Sequence, residues 1–202
     1  MKFLFPGLFV LVLLGGCLSV ERPPVRSWMV EEGDLVVETP PSLEGNTSAF
    51  SATRLGAIAV DAPFDRTSFV VRRADGSVAF DPLNEFAAAP SALLRGAVRA
   101  QLVADGRFGH VVSSSSLAGV DASVEVIVND LSLDCRESDR RVARAAVKVT
   151  VVKAGRTREI VLEGRGGGTA DAKDGNYGGA FTQAVNLALR EALHALTAKE
   201  RK

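Results

Sequence analysis

The 202-residue chain is poor in the side chains that build most active sites: two cysteines, two histidines, one tryptophan and one tyrosine. The histidines, His110 and His194, fall on a strand start and a helix face, so they are expected to be surface or capping residues and not a metal centre or a triad. Neither sign of charge dominates, with 24 basic against 24 acidic residues and a pI near 6.7. That excludes a broad electrostatic grip on nucleic acid or anionic lipid. Long apolar runs are also missing. The run from Phe3 to Leu14, interrupted by Pro6 and Gly7, would reach ~18 Å as a helix, well short of a ~30 Å hydrocarbon core. It therefore reads as a secretory signal. The 47% of hydrophobic residues is enough for one globular core and excludes disorder throughout.

The end of that signal is more specific than its apolar run. Leu14, Gly15, Gly16 and Cys17 resemble the bacterial lipobox, whose thiol receives a diacylglyceryl group before the peptidase cuts and the new amino group is acylated. The alternative is an ordinary signal peptide in which Cys17 is incidental. Leu18 stands where the sorting rules of such lipoproteins require Asp for inner-membrane retention, so the resemblance implies an outer-membrane address with the domain facing the periplasm. Acyl chains such as palmitate, at ~0.8 kcal/mol per buried CH₂, would anchor the protein permanently. These groups on Cys17 are the only cofactor-like chemistry expected. Cleavage would remove Lys2 and leave 23 basic against 24 acidic residues, a charge of −1. Cys135 would then be the lone thiol, and no intramolecular disulfide could form.

Three parts are expected: a signal peptide at 1–16, a lipidated tether at 17–51 and a folded domain at 52–202. The tether is rich in Pro, Ser, Glu and Gly, and its short apolar pieces SWMV and DLVVE are candidates to dock as an edge strand. In the domain, RLGAIAVDAPF reads as a strand, and SFVVRR and SVAFDP read as a hairpin around Ala74, Asp75 and Gly76. A helix is expected from Pro90 to Asp105, with Leu94, Val98 and Leu102 inward and Gly106 as its stop; HVVSS then completes a right-handed crossover. Val124, Val126 and Val128 share one face while Leu131, Leu133 and Cys135 are out of phase, so a bulge is expected near Asn129 and Asp130. Ala143 to Val151 alternates as an antiparallel strand wet on one face, and REIVLEG continues the meander. A closing helix from about Ala180 to Lys199 carries the stripe Phe181, Val185, Ala188, Ala192 and Leu196. The sum is an α+β domain: a mixed, largely antiparallel sheet with two amphipathic helices on one face.

Candidate chemistry is sparse. GRGGGT follows a strand but lacks the Lys-Ser/Thr pair of a phosphate loop, and the glycine-rich segment 164–179 reads as a mobile loop or bulged strand end. Ser113 to Ser116 lack a nucleophile elbow, Asp171 and Asp174 lack EF-hand spacing, and Cys135 is in phase with core leucines. No nucleophile, base and orienter come together, so no enzyme is expected.

The order of lipobox, tether, opening strand RLGAIAV, hairpin, NEFAAAP before a helix, meander and closing helix resembles the ABC-type transport auxiliary lipoprotein family. Its members accompany MCE-domain proteins in lipid or solvent transport. The likeness spans roughly Arg54 to Thr197. Within SFVVRRADGSVAFDPLNEFAAAPSALLRGAVRAQL, Phe86 and Pro90 match the family's aromatic residue and helix-opening Pro, while the family's Trp is replaced within Ala87 to Ala89. The resemblance implies a noncatalytic partner of an MCE protein and its ABC permease and ATPase, with Phe86 and Pro90 as candidate partner or ligand contacts. It also implies phospholipid or another apolar cargo, no nucleic acid, and self-association. A lipoprotein activator of a peptidoglycan synthase is the alternative, since such activators also join a lipobox, a Pro-rich tether and a small α+β domain.

Overall fold

The computed structural model describes residues 23–30, 49–155 and 159–198. Among them, nine strands form one mixed sheet, and two α-helices pack on one of its faces. The centre is an antiparallel meander of β6 (Ala122–Cys135), β7 (Val142–Lys153) and β8 (Glu159–Asp171). Val124, Val126 and Val128 of β6 and the alternate residues Ala143 to Val151 of β7 are buried toward the helices. The expected bulge is present, as a register shift between Val128 and Asp130.

The far side of β6 is shared by two branches. Its first half pairs in parallel with β2 (Phe50–Val60), its second half with β3 (Ser68–Arg73). β5 (Phe108–Val112) flanks β2 in parallel, as a helical crossover requires, while β4 (Val78–Phe86) flanks β3 as a hairpin. β4 runs through Pro82 to Phe86, longer than SVAFDP. An edge position tolerates that proline, and the Asp81 carboxylate accepts the N–H groups of Leu83 and Asn84. The piece SWMV does dock: β1 (Arg26–Trp28) pairs in parallel with Asn84 to Phe86, and Val30 is buried behind it. DLVVE lies outside the described residues.

Helix α1 (Pro90–Asp105) has the expected bounds, buries Leu94, Val98 and Leu102, and ends at Gly106 with φ 75°. That left-handed residue is where glycine carries no β-carbon penalty. Helix α2 (Tyr177–His194) differs at both ends from the expected 180–199. It starts earlier because the Asn176 side chain caps the Gly179 N–H at 2.9 Å. It stops earlier because the chain turns at Ala195, and β9 (Thr197–Ala198) adds to β8 opposite Leu162 and Glu163. Leu196 is still buried, but beyond the helix.

The glycine-rich stretch is not a loop. Gly164, Gly166, Gly167 and Gly168 continue β8 in regular register with β7. Gly164, Gly166 and Gly168 alternate onto the helix-facing side, where a β-carbon would fall inside the Ala192, Ala188 and Ala184 carbonyl oxygens of α2. A period of two on the strand thus meets a period of four on the helix. The helix backbone rests directly on the strand backbone. Glu191, overhanging the edge, accepts the Gly167 N–H through Oε2 at 2.7 Å.

The two helices are joined to each other by polar contacts. Buried Gln101 donates through Nε2 to Asn186 Oδ1 at 3.2 Å. Arg107, clamped by Asp105 at 2.6 and 2.7 Å, donates to the Leu193 carbonyl at the C-terminal end of α2, which also accepts the Leu196 N–H.

Gly166→Ala is expected to destabilise the domain by ~3 kcal/mol or more through overpacking, measured by urea unfolding. At Gly167 a β-carbon meets nothing nearer than 3.9 Å, so Gly167→Ala should shift stability by no more than ~0.5 kcal/mol.

Candidate functional site

The lipobox residues Leu14, Gly15, Gly16 and Cys17 lie outside the described residues. Phe86 and Pro90, the candidate contacts, are both buried and present no surface to a partner. The Phe86 ring packs at 4.6 Å from Phe69 and 5.0 Å from Phe181, centroid to centroid. Tyr177 closes the cluster against Phe69 and against Trp28, which also donates from Nε1 to Asn84 Oδ1 at 3.1 Å. Trp28 stands opposite Phe86 in the sheet register. The sole tryptophan therefore pins the first described segment onto the core. Arg141 donates to the Tyr177 hydroxyl from the β6–β7 turn.

The other singled-out residues are dispersed. His110 is exposed on β5 and His194 on the last turn of α2. Ser113 to Ser116 follow β5 as a turn. Asp171 ends β8 and pairs with Arg140 at 2.8 Å, while Asp174 sits in a short 3₁₀ turn at Lys173–Gly175. Cys135 ends β6 half-buried, unlike fully buried Leu131 and Leu133, and burial pushes its thiol above the ordinary value. Among the described residues, no group of three or more His, Cys, Asp or Glu side chains could hold a metal ion.

A cluster that the sequence pattern did not single out lies on the open face of the sheet. Ser132, Arg144 and Thr169 are direct cross-strand neighbours on β6, β7 and β8, on the side away from the helices. Together with Asp134, Arg136, Glu137, Arg140 and Val142, Arg144 and Thr169 line a groove of about 380 Å³ at the end of the meander. Asp134 is its fixed point: Arg136 grips it at 2.5 to 3.2 Å, and Arg144 Nη1 approaches it at 3.4 Å. The Arg136 hydrogen bonds, opposed by burial and helped by the Arg144 charge, lower the Asp134 carboxyl to about 2. The signal for this groove was the arginine-rich turn RESDRRVAR, with Arg136, Arg140, Arg141 and Arg144.

The arrangement defines a two-layer α+β domain with one face of its sheet free of helices and an ion-paired groove at one end. No family model matches the sequence, and no curated protein matches it. Among solved structures, the chain is similar to the crystal structure of XCC0632 from Xanthomonas campestris, of family model DUF330. The TM-score is 0.62 at 14% identity, with 85% of this chain and 90% of that one covered. A crystal structure of an uncharacterized protein is similar at 14% identity and a TM-score of 0.49, covering 71% of this chain and 86% of that one. At 14% identity the likeness to XCC0632 establishes the fold alone.

Because Phe86 is a core residue, Phe86→Ala should cost about 3 to 5 kcal/mol in chemical unfolding. Asp134→Asn should cost on the order of 1 kcal/mol at pH 7. A carboxyl lowered in the folded state stabilises above its unfolded pKa of ~3.9 and stops doing so as pH falls through about 2. The gap between wild type and Asp134→Asn should therefore close between pH 4 and pH 2 in thermal unfolding curves.

Proposed function

We propose that this is an outer-membrane lipoprotein, acylated at Cys17, that serves as a noncatalytic accessory of an ABC/MCE-type system moving phospholipid or another apolar molecule. The observation that carries the reading is the lipobox placed immediately ahead of a strand. With Arg26–Trp28 seated in the sheet, only residues 18–25 separate the anchor from the fold. At ~3.6 Å per residue that segment reaches no more than about 30 Å. The domain is held against its membrane, and the MCE assembly must come to it. Effective concentration at the membrane surface then favours docking without a large interface.

The packing of α2 on β8 supports a scaffold over a carrier, since that interface has no room for a methyl group, let alone an acyl chain. Activation of a peptidoglycan synthase, the alternative, draws no specific support, because docking of β1 shortens the reach that such a role would use.

Two measurements test the reading. Mass spectrometry of the membrane-extracted protein should show an acylated N-terminal cysteine, lost in Cys17→Ala. Deletion should alter the envelope barrier and lipid distribution, and crosslinking should recover an MCE-domain protein. An unacylated chain, or an unchanged envelope with no MCE protein recovered, contradicts the proposal.

A further inference from the structure

The groove on the open sheet face lies at a particular end of the molecule. β3 is parallel to β6, β4 is antiparallel to β3, and β1 is parallel to β4. β1 therefore enters from the end where β6 finishes at Cys135, β7 begins at Val142 and β8 finishes at Asp171. The start of β1 and the groove thus lie toward the same end of the sheet. If Cys17 is acylated, as proposed above, the start of β1 lies within about 30 Å of the bilayer, and the groove opens toward the same end of the sheet.

The groove's own chemistry is unevenly satisfied. Asp134 takes up the Arg136 fork, and Asp171 takes Nε and Nη2 of Arg140 at 2.9 and 2.8 Å. Arg144 is left with a single side-chain contact among the described residues, its Nη1 at 3.4 Å from a carboxylate that Arg136 already holds. Thr169, the direct neighbour of Arg144 across the strands, lines the same groove. Arg140 Nη1 reaches only Glu137, at 4.0 Å. Three arginines and two acids line the concavity, and Asp171 holds Arg140 from outside the lining. Elsewhere on this face, Lys148 is neutralised by Glu163 at 3.0 Å, and Arg72 by Asp130 at 2.9 Å. A planar guanidinium with unused N–H groups and a hydroxyl-bearing residue on the neighbouring strand of the same groove suit a tetrahedral oxyanion, which can accept from both.

We propose that this groove binds a phosphate group through Arg144, Thr169 and Arg140, and that in the anchored protein the phosphate belongs to a lipid headgroup of the same membrane. A headgroup and free phosphate offer the same oxygens to these residues, so the two sources are separated by experiment. The membrane assignment rests on the lipoprotein reading; the oxyanion site does not.

The full chain, purified in a neutral detergent, is titrated at low ionic strength with inorganic phosphate and, separately, with dihexanoylphosphatidylglycerol below its micelle concentration, with ³¹P NMR as the readout. Saturable binding of one equivalent is expected for both, with mutual competition and weakening as salt rises. Arg144→Gln should weaken binding at least fivefold, and Thr169→Val in the same direction. Arg165→Gln, on an exposed side chain outside the groove, should leave it unchanged. Circular dichroism of each variant checks that the fold is intact. Binding of phosphate alone keeps the oxyanion site and assigns it to the free ion, overturning the headgroup assignment. No saturable binding of either probe, or an Arg144→Gln protein that binds as wild type does, overturns the site. Absence of the acyl group on Cys17 would remove the membrane assignment and leave the phosphate titration as it stands.

Discussion

The rest of this fold depends on the contact between the backbone of α2 and the backbone of β8. Gly164, Gly166 and Gly168 offer no side chains, and Ala184, Ala188 and Ala192 fill the opposing turns with methyl groups alone, so helix and strand meet at a separation that no larger pair permits. From that position α2 drives Phe181 into the cluster of Phe69, Phe86 and Tyr177. The same placement lets Asn186 meet Gln101 of α1 and lets Arg107 reach the last turn of α2. Shifting α2 outward by the width of a methyl group would loosen all of these contacts at once, which is why a single β-carbon at Gly166 weighs more than most core substitutions.

Much of the architecture was legible because one face of the sheet is buried and the other wet. The alternation in β6 and β7 fixed both faces, and the change of phase between Val128 and Leu131 located the bulge. The bounds of α1 came from Pro90 and Gly106, two residues with strong backbone preferences. The glycine-rich stretch misled for a physical reason: a missing side chain signals a loop and a close approach equally well. Only the match between glycines at every second residue and alanines at every fourth distinguishes them, and that pairing spans distant parts of the chain. The forked edge of β6 had no signature at all, because the alternation of β6 does not say which part of it takes β2 and which takes β3.

Functional features divide in the same way. The lipobox-like pattern of Leu14 to Cys17 is local, so it is visible in the sequence without any fold. The aromatic Phe86 was conspicuous, yet its ring belongs to the core, and Trp28 stands beside it in the register. The groove needed three strands to be aligned before Arg144 and Thr169 became neighbours. The arginine-rich turn announced charge there but not the concavity. Docking of β1 connects these observations, since in the lipoprotein proposed above it would shorten the link to the membrane and set which end of the sheet faces it.

The domain is closed between α2 and β8, with no room for a methyl group at three strand positions. The direct measure of that closure is amide hydrogen exchange along β8. The Gly167 N–H points out to Glu191, so the amides of Gly166 and Gly168 point into the ladder with β7. Beneath a seated helix, they should exchange only through global unfolding, as slowly as the amides of Val147 and Val149. Exchange at the rate of an open loop would contradict the contact on which this account rests.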